Sequence, residues 1–582
     1  MREAWYNCVV AEPLFANVTR RFLLLLLIAT GLICGFAAVS FHWLVDFMTS
    51  ILIGPAVEQQ GFLRVVAVIA IPTLVAAGLT LAMGRFAPMA SGANLARVRR
   101  AYAEDPALLD SRSLAATAIG TPVSLGSGAP LGPEGPIVVL SSGIAMMVGR
   151  VAGIPKRMIR GMIPVGTAAG IAAIFNTPIT GVVFAMEEVM GSASKGVLGG
   201  TIVAAVAAAV VERMMLGGEP ILRAPSGTWS DPMELAGFLL VGVVAGLVSG
   251  ASMRALVRVR GSARKRFRSP VWRAAAGGAV IGLIGLYRPA ILGVGYETTS
   301  LFLRGGGSFE EAALDFGAKA FAFVIALAAG LVGGIFAPSL FLGAALGAAV
   351  GHGALLIFPD ANIYPGAYAL VGMGAFFAGL LRVPIASVLI VFEVTGDYGL
   401  ILPLMLAIAV SISLSRIISP QTLTERQMTE EGWREPAAAD PLARMVVADA
   451  MSKDIVHVTP EMKLLEVARD VTQRHRQYPV VDKDGGLLGL LPGAAIARAV
   501  RESLTEDSVA GSVEAAKLVV SPSDVITDVI RKMRDTGVDR CPVVDEKKRV
   551  VGFISPSDII RVRLRPGSED DTMDRHFDRL IG

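Results

Sequence analysis

The chain has 582 residues, of which 53% are hydrophobic and only 18% charged, and its formal net charge is +4. Its mean hydropathy is +0.61. A soluble domain carries about 25% charge, so an ordinary water-soluble fold is excluded and a polytopic membrane protein is indicated. Cys8, Cys34 and Cys541 are too few and too scattered for a disulfide framework or a metal site. The histidines His42, His352, His457, His475 and His576 show no ligand spacing.

In chain order, apolar runs at 22–39, 65–83, 235–250 and 321–335 reach or approach the roughly 20 residues that span a bilayer. Arg20 and Arg21 precede the first run, and no small-residue cleavage site follows it, so it reads as a retained helix. Arg97, Arg99 and Arg100 predict a cytoplasmic loop after the second. Arg254, Arg258, Arg260, Arg264, Lys265, Arg266 and Arg268 predict another after the third. That bias is the positive-inside pattern rather than a nucleic-acid patch. Near Arg426 the composition turns charged. The predicted division is a membrane region over 1–425, a linker over 426–445, soluble α/β copies over 446–505 and 506–565, and a polar tail over 566–582.

Each region repeats itself. In the membrane region GPEGPIVVLSSGIA, 132–145, is matched by GIFAPSLFLGAALG, 334–347. Downstream, FNTPITGVVFAMEE is matched by LRVPIASVLIVFEV, which pairs Pro178 with Pro384 and Glu187 with Glu393. The spacing between motifs is 178 − 136 = 42 in one half and 384 − 338 = 46 in the other. Gly/Pro-interrupted segments at matching places in two halves mark a transporter with its site at the repeat interface. In the soluble region Pro479, Asp482 and Gly489 recur as Pro542, Asp545 and Gly552. Each copy reads strand, amphipathic helix, strand, turn, strand, short helix.

The stretch LGSGAPLGPEGPIVVL breaks an apolar segment and places one acid, Glu134, inside it. Proline suits the first turn of a helix, so Pro136 predicts a helix over 137–148 and Pro338 one over 339–350. The chain before each helix then carries free N–H groups and the positive end of a dipole. Gly132 and Gly135, like Gly333 and Gly334, let it bend close to an ion. Such termini bind a small anion without a lysine that would hold it too tightly. Glu134, itself an anion, can fill that place and leave it. The plainer alternative is that it only stabilises its own helix, but an ionisable residue inside a membrane is functional by default.

These motifs resemble those of the CLC chloride channel and transporter family: G-[KR]-E-G-P at Gly132–Pro136, G-x-F-x-P at Gly334–Pro338, and the block GTAAGIAAIFNTPITGVVFAMEE. Pro133 stands where the family has Lys or Arg. The resemblance covers nearly all of 20–425 and implies a helical membrane domain built from an inverted repeat of broken helices. It also implies a homodimer with one ion pathway per subunit, embedded in lipid of the inner cell membrane with both termini cytoplasmic. Chloride and protons are the implied substrates. Glu134 becomes the external gate. Glu188, the second acid of a pair that antiporters carry, becomes the internal proton site, as against a structural acid at a helix end. Glu187 is assigned to structure. The first family motif survives only as ASGANLA, which leaves Ser91 as a hydroxyl donor to the anion. The serine implies chloride over nitrate, and fluoride exporters carry a different residue there. Gly135 belongs to the bending backbone at the anion site, and Ile335 and Phe336 supply backbone N–H groups. Thr424 stands where the family has a tyrosine, which leaves a wider inner gate.

The soluble copies resemble a pair of CBS domains. The second copy keeps the nucleotide-binding end motif as Gly552, Ser555 and Asp558, while the first has Gly489, Pro492 and Ala495. The pair reads equally as a module with one adenine-nucleotide site or as a purely structural dimerisation module. Chloride/proton antiport is the leading function, with a passive chloride channel as the alternative. A CBS-regulated divalent cation transporter would want clustered membrane acids. No nucleophile–base pair or metal cluster supports an enzyme, no cofactor is required, and no nucleic acid is implied.

Overall fold

Lipid offers no hydrogen bonds to a bare backbone, so a chain crosses it only as helices or as a closed barrel. The computed structural model describes residues 20–87, 94–191, 195–217, 222, 234–396, 399–430, 445–470, 477–502, 507–545 and 547–563. Among them ten helices are long and apolar enough to span a bilayer. The chain divides into two structural units between residues 434 and 435.

The first half of the membrane unit runs α1 Arg20–Ile51, α2 Gly61–Phe86, α3 Asn94–Ala103, α4 Ser111–Gly126, α5 Glu134–Val151, α6 Lys156–Phe175, α7 Pro178–Phe184 and α8 Lys195–Leu216. A π-helical turn, Ala185–Met190, continues α7. The second half runs α9 Glu234–Arg266, α10 Pro270–Tyr287, α11 Tyr296–Leu303, α12 Phe309–Ala329, α13 Phe336–Ile357, α14 Pro365–Leu381, α15 Pro384–Thr395, α16 Ile401–Ile418 and α17 Leu423–Glu430. Neighbours repeat between the halves. α1 packs on α8 as α9 packs on α16, and α5 on α6 as α13 on α14, while α2 meets α10 and α7 meets α15 across the join.

Small residues make these contacts, because lipid removes the hydrophobic drive between helices and leaves close packing to do the work. Gly31 and Gly35 on α1 press on Ala204 and Ala208 of α8. Gly242 and Gly246 on α9 press on Ala407 and Ser411 of α16. A Cβ at Gly35 would lie 2.9 Å from the Ala208 carbonyl oxygen, and one at Gly246 2.6 Å from that of Ser411. Both pairs are G-x-x-x-G, and they stand 242 − 31 = 246 − 35 = 211 residues apart.

Two acids lock the halves reciprocally. Glu393 of α15 accepts the N–H groups of Ile179 (2.9 Å) and Thr180 (2.6 Å) and the Thr180 hydroxyl (2.6 Å), at the start of α7. Glu187 accepts those of Ile385 (3.1 Å) and Ala386 (2.9 Å), at the start of α15. Each carboxylate satisfies orphan amides at the positive end of the other repeat's helix. The structural assignment of Glu187 thus acquires a specific task.

Several boundaries differ from expectation. The basic residues Arg254 to Arg266 form the last turns of α9 rather than a loop, because Arg and Lys are good helix formers and suit a helix C-terminus. Arg97, Arg99 and Arg100 likewise lie in α3. The run expected at 321–335 belongs to α12. That helix starts at the Ser308 cap and stops at Gly330, whose φ of 88° only glycine adopts easily. α17 carries helix into the span expected as linker. Ser91 and the tail 566–582 lie outside the described residues.

In the second unit, α18 Leu464–Asp470, β1 Gln477–Val481, β2 Leu487–Pro492 and α19 Gly493–Glu502 are echoed by α20 Ile526–Thr536, β3 Cys541–Val544, β4 Val550–Ile554 and α21 Pro556–Arg563. β1 pairs antiparallel with β2 and β3 with β4. The strand expected at the head of each copy is a single parallel bridge, Val458 to Val480 and Val520 to Val543. Asp482 and Asp545 each close their hairpin by accepting N–H groups two and four residues on.

Truncating Glu393 to Ala should destabilise the membrane unit by on the order of 2–3 kcal/mol, since charged hydrogen bonds are lost and amides stranded. Glu187→Ala should cost less, having fewer donors. Equal, unchanged unfolding midpoints in detergent would show that the caps carry no load.

Candidate functional site

Where the two repeats touch, equivalent glycines pair as an antiparallel bridge. The Gly132 N–H donates to the Gly334 carbonyl (2.9 Å), and the Gly334 N–H donates back to Gly132 (2.6 Å). Equivalent segments therefore run in opposite directions about a two-fold, which makes the repeat inverted. Each bridge strand leads straight into a helix, α5 or α13.

Both helices begin three residues before the expected starts at 137 and 339. Pro133 caps α5, so Glu134 and Gly135 are its first residues and Pro136 its third. Ile335 caps α13, so Phe336 and Ala337 precede Pro338. Any place in the first turn tolerates proline, since those N–H groups lack helical acceptors. Glu134 and Phe336 thus hold equivalent positions, 336 − 134 = 334 − 132 = 202 residues apart.

Glu134 is 0% exposed. Its carboxylate folds back over Gly132, where any Cβ would collide with Oε2. Oε1 accepts the Tyr296 hydroxyl at 2.8 Å. Oε2 is buried with no hydrogen-bond partner, although the amides of Glu134 itself and of Ala337 face the carboxylate. The carboxyl group therefore sits between two helix N-termini, each worth a fractional positive charge. The Phe336 ring is held edge-on by Phe184 (5.0 Å between centroids) and Phe377 (5.3 Å).

Beside this turn lies a cavity of about 70 Å³, lined by Gly135, Ile335, Phe336, Thr424, Gln427 and Arg260. Leu95 of α3 and Leu423 of α17 also line it, so the first turns of α3, α5, α13 and α17 all reach it. The structure thus brings together Gly135, Ile335, Phe336 and Thr424. Thr424 is buried, whereas the neighbouring Thr422 hydroxyl is spent on the Glu425 amide. Glu188 is placed apart, buried on the π-helical turn that packs against α3 and α6. π-turns recur at functional sites.

Two residues that sequence reasoning missed complete the surroundings. Tyr296 opens α11. Lys319, fully buried in α12, gives its ammonium protons to the carbonyls of Ile291 (2.9 Å), Gly293 (2.7 Å) and Val294 (3.3 Å). It also lies 4.9 Å from the Phe341 ring centre. A lone lysine in an apolar span was the available signal for it. Tyr296 sits 162 residues from Glu134, and nothing local in the sequence connects them.

In the second unit a cavity of about 230 Å³ is lined by Ser452, Asp454, Arg540, Ser555, Asp558 and Arg561, with Tyr478 and Phe553 as aromatic walls. Asp558 accepts from the Ser452 hydroxyl (2.8 Å), from the Ser555 amide (3.0 Å) and from the Ser555 hydroxyl (2.5 Å), and pairs with Arg561 (3.2 Å).

A two-fold array of broken helices whose N-termini meet at a buried acid defines an ion-transport fold, followed by a repeated α/β pair. The model of the voltage gated chloride channel family matches residues 74–416, and that of the CBS domain matches 447–502 and 512–565. The chain belongs to the CLC chloride channel family and carries a CBS pair. It is 31% identical over 373 residues to a ClcB-like chloride channel protein of Ralstonia nicotianae, spanning 63% of this chain and 86% of that one. It is also 31% identical over 350 residues to the H(+)/Cl(-) exchange transporter ClcA of Vibrio cholerae, spanning 58% and 74%. Among solved structures, a slow cyanobacterial Cl-/H+ antiporter superposes with a TM-score of 0.64 at 25% identity, covering 70% of this chain and 99% of its own. A eukaryotic CLC transporter, at 17% identity and TM-score 0.64, shares the fold over 92% and 97%.

Proposed function

We propose that this protein exchanges chloride for protons across a membrane, with Glu134 as the gate and Glu188 as the internal proton acceptor. The observation that carries this reading is the Glu134 carboxylate, buried between paired helix N-termini and adjoining a cavity lined by further helix starts. The exchange named for the Vibrio cholerae relative, and for the cyanobacterial antiporter, supports it.

The chemistry follows from competition. Amides and dipoles at the N-termini hold an anion by many partial charges, so that it binds and still departs. Ile335 and Phe336 would offer amides to chloride, with Gly135 and Thr424 around it; Ser91 is proposed as a hydroxyl donor on the family resemblance alone. The ionised Glu134 carboxylate fills the same field. A chloride ion arriving there displaces it, and a proton taken up on the freed carboxylate keeps it away. Passing that proton toward Glu188 restores the anion and reseats it. Net chloride one way is thereby tied to net protons the other way. Both movements carry charge in the same electrical sense, so membrane voltage and pH drive the cycle.

The same proposal takes the protein as a homodimer in the inner membrane with its CBS pair cytoplasmic. The basic end of α9 supports that orientation, and the particle mass in detergent reads the dimer. The CBS cavity is proposed to take an adenine nucleotide. Asp558 would hold ribose hydroxyls in place of Ser452, Arg540 and Arg561 would meet phosphate, and Tyr478 or Phe553 would flank the base. A passive channel is favoured only by Thr424, whose short hydroxyl leaves the inner side open.

In liposomes given a chloride gradient with voltage clamped by potassium and valinomycin, the wild type should pump protons uphill. Glu188→Ala should keep chloride flux and lose proton movement. Chloride flux without proton movement in the wild type would instead establish the channel. Titrating full-length protein with ATP, ADP or AMP should release binding heat that Asp558→Ala weakens about tenfold or more, as loss of hydrogen bonds to a charged group requires. No heat from any of the three would leave the CBS pair as a structural module.

A further inference from the structure

We infer that Tyr296 is the latch of the Glu134 gate, the residue whose phenol decides how firmly the carboxylate is seated. The inference rests on the gating role proposed for Glu134 and adds the group that sets its strength. Tyr296 is a positioning residue here, acting on the anion through the carboxylate it holds.

The seat is held unequally. Oε1 accepts one side-chain hydrogen bond, from Tyr296 at 2.8 Å. Oε2 is buried and meets no side-chain donor, while the backbone amides of Glu134 and Ala337 face the carboxylate. Among the described residues the phenol is therefore the one side chain that ties the carboxylate down. A gate must close and also open. One charge-assisted bond suits both tasks, because its loss shifts an equilibrium by about tenfold to a hundredfold without dismantling a network.

A latch also needs a fixed mount, and the structure supplies it from four directions. Gly295, the residue before Tyr296, has φ of 88°, and a Cβ there would lie 2.8 Å from Cδ2 of Phe341. The Thr299 hydroxyl donates to the Gly295 carbonyl at 2.9 Å. Lys319 clamps the three carbonyls of Ile291, Gly293 and Val294 on the approach to the tyrosine. The Gly293 N–H donates to Gly128 at 3.1 Å, which ties the mount to the very segment that carries Glu134. Phenol and carboxylate are thus held to one frame, and the hydrogen bond between them is the movable joint.

The test compares full-length wild type, Tyr296→Phe, Glu134→Ala and the double variant, each reconstituted in liposomes, by chloride efflux over a range of chloride concentrations. Phenylalanine keeps the ring and its packing and removes only the hydroxyl. Without the latch, chloride should displace the carboxylate at about tenfold lower concentration, while the maximal rate stays within about twofold. In the Glu134→Ala background, where no carboxylate remains to hold, Tyr296→Phe should change nothing. A wild-type chloride dependence in Tyr296→Phe would overturn the latch. So would an equal effect of the substitution with and without Glu134, because that marks a general packing role. If Glu134→Ala itself leaves proton coupling intact, the gating assignment fails, and the latch that rests on it is overturned with it.

Discussion

Everything in the membrane unit turns on the mutual hydrogen bonds of Gly132 and Gly334. Two backbone segments can approach this closely in the middle of an apolar domain only if each satisfies the other's amides, since no water is there to do it. Once they pair, the helices that follow must both start at the same place and point away from it. Their unsatisfied N–H groups converge as a consequence. The site is therefore a product of the repeat's symmetry and not an addition to it. Glu187 and Glu393 apply the same logic one motif later, each capping the other repeat's helix and keeping the join in register.

Symmetry also explains where function departs from structure. Glu134 and Phe336 open equivalent helices, yet one is an acid and the other an aromatic pinned between Phe184 and Phe377. One side of the two-fold carries an ionisable group, and the other an aromatic ring packed between two more. Lys319 is the one fully buried ammonium among the described residues, and it is directed at carbonyls rather than at the cavity. The positive potential at the two helix starts is left to backbone dipoles. Arg260 lines the cavity beside Phe336, at the basic end of α9.

Much of this was legible in the sequence for a physical reason. Membrane helices must be apolar, so a Gly/Pro break or a lone acid stands out against a uniform background, and Gly132, Glu134, Gly334 and the paired Glu187 and Glu393 all announced themselves. The repeat was legible for the same reason. The sequence places the two helix starts three residues late because proline fixes only that a first turn is near, not which of its positions it holds. The Arg254 to Arg266 block reads as a loop in the sequence because charge marks the membrane face and says nothing about whether the helix continues past it. The small-residue seams at Gly31, Gly35, Gly242 and Gly246 were overlooked in a chain with 64 glycines, where single ones carry little information. Tyr296 was out of reach, since its partner lies far away in sequence and only the folded repeat brings them together.

The central claim is that paired helix N-termini form an anion site which the Glu134 carboxylate shares with a halide. Crystals of the wild type and of Glu134→Gln grown in bromide, with anomalous difference maps, test it most directly. A bromide peak is expected against the amides of Ile335 and Phe336 in both. A further peak is expected in Glu134→Gln, at the place above Gly132 that the carboxylate now fills. Bromide confined to surface arginines, with nothing at the two helix starts in either crystal, would contradict it.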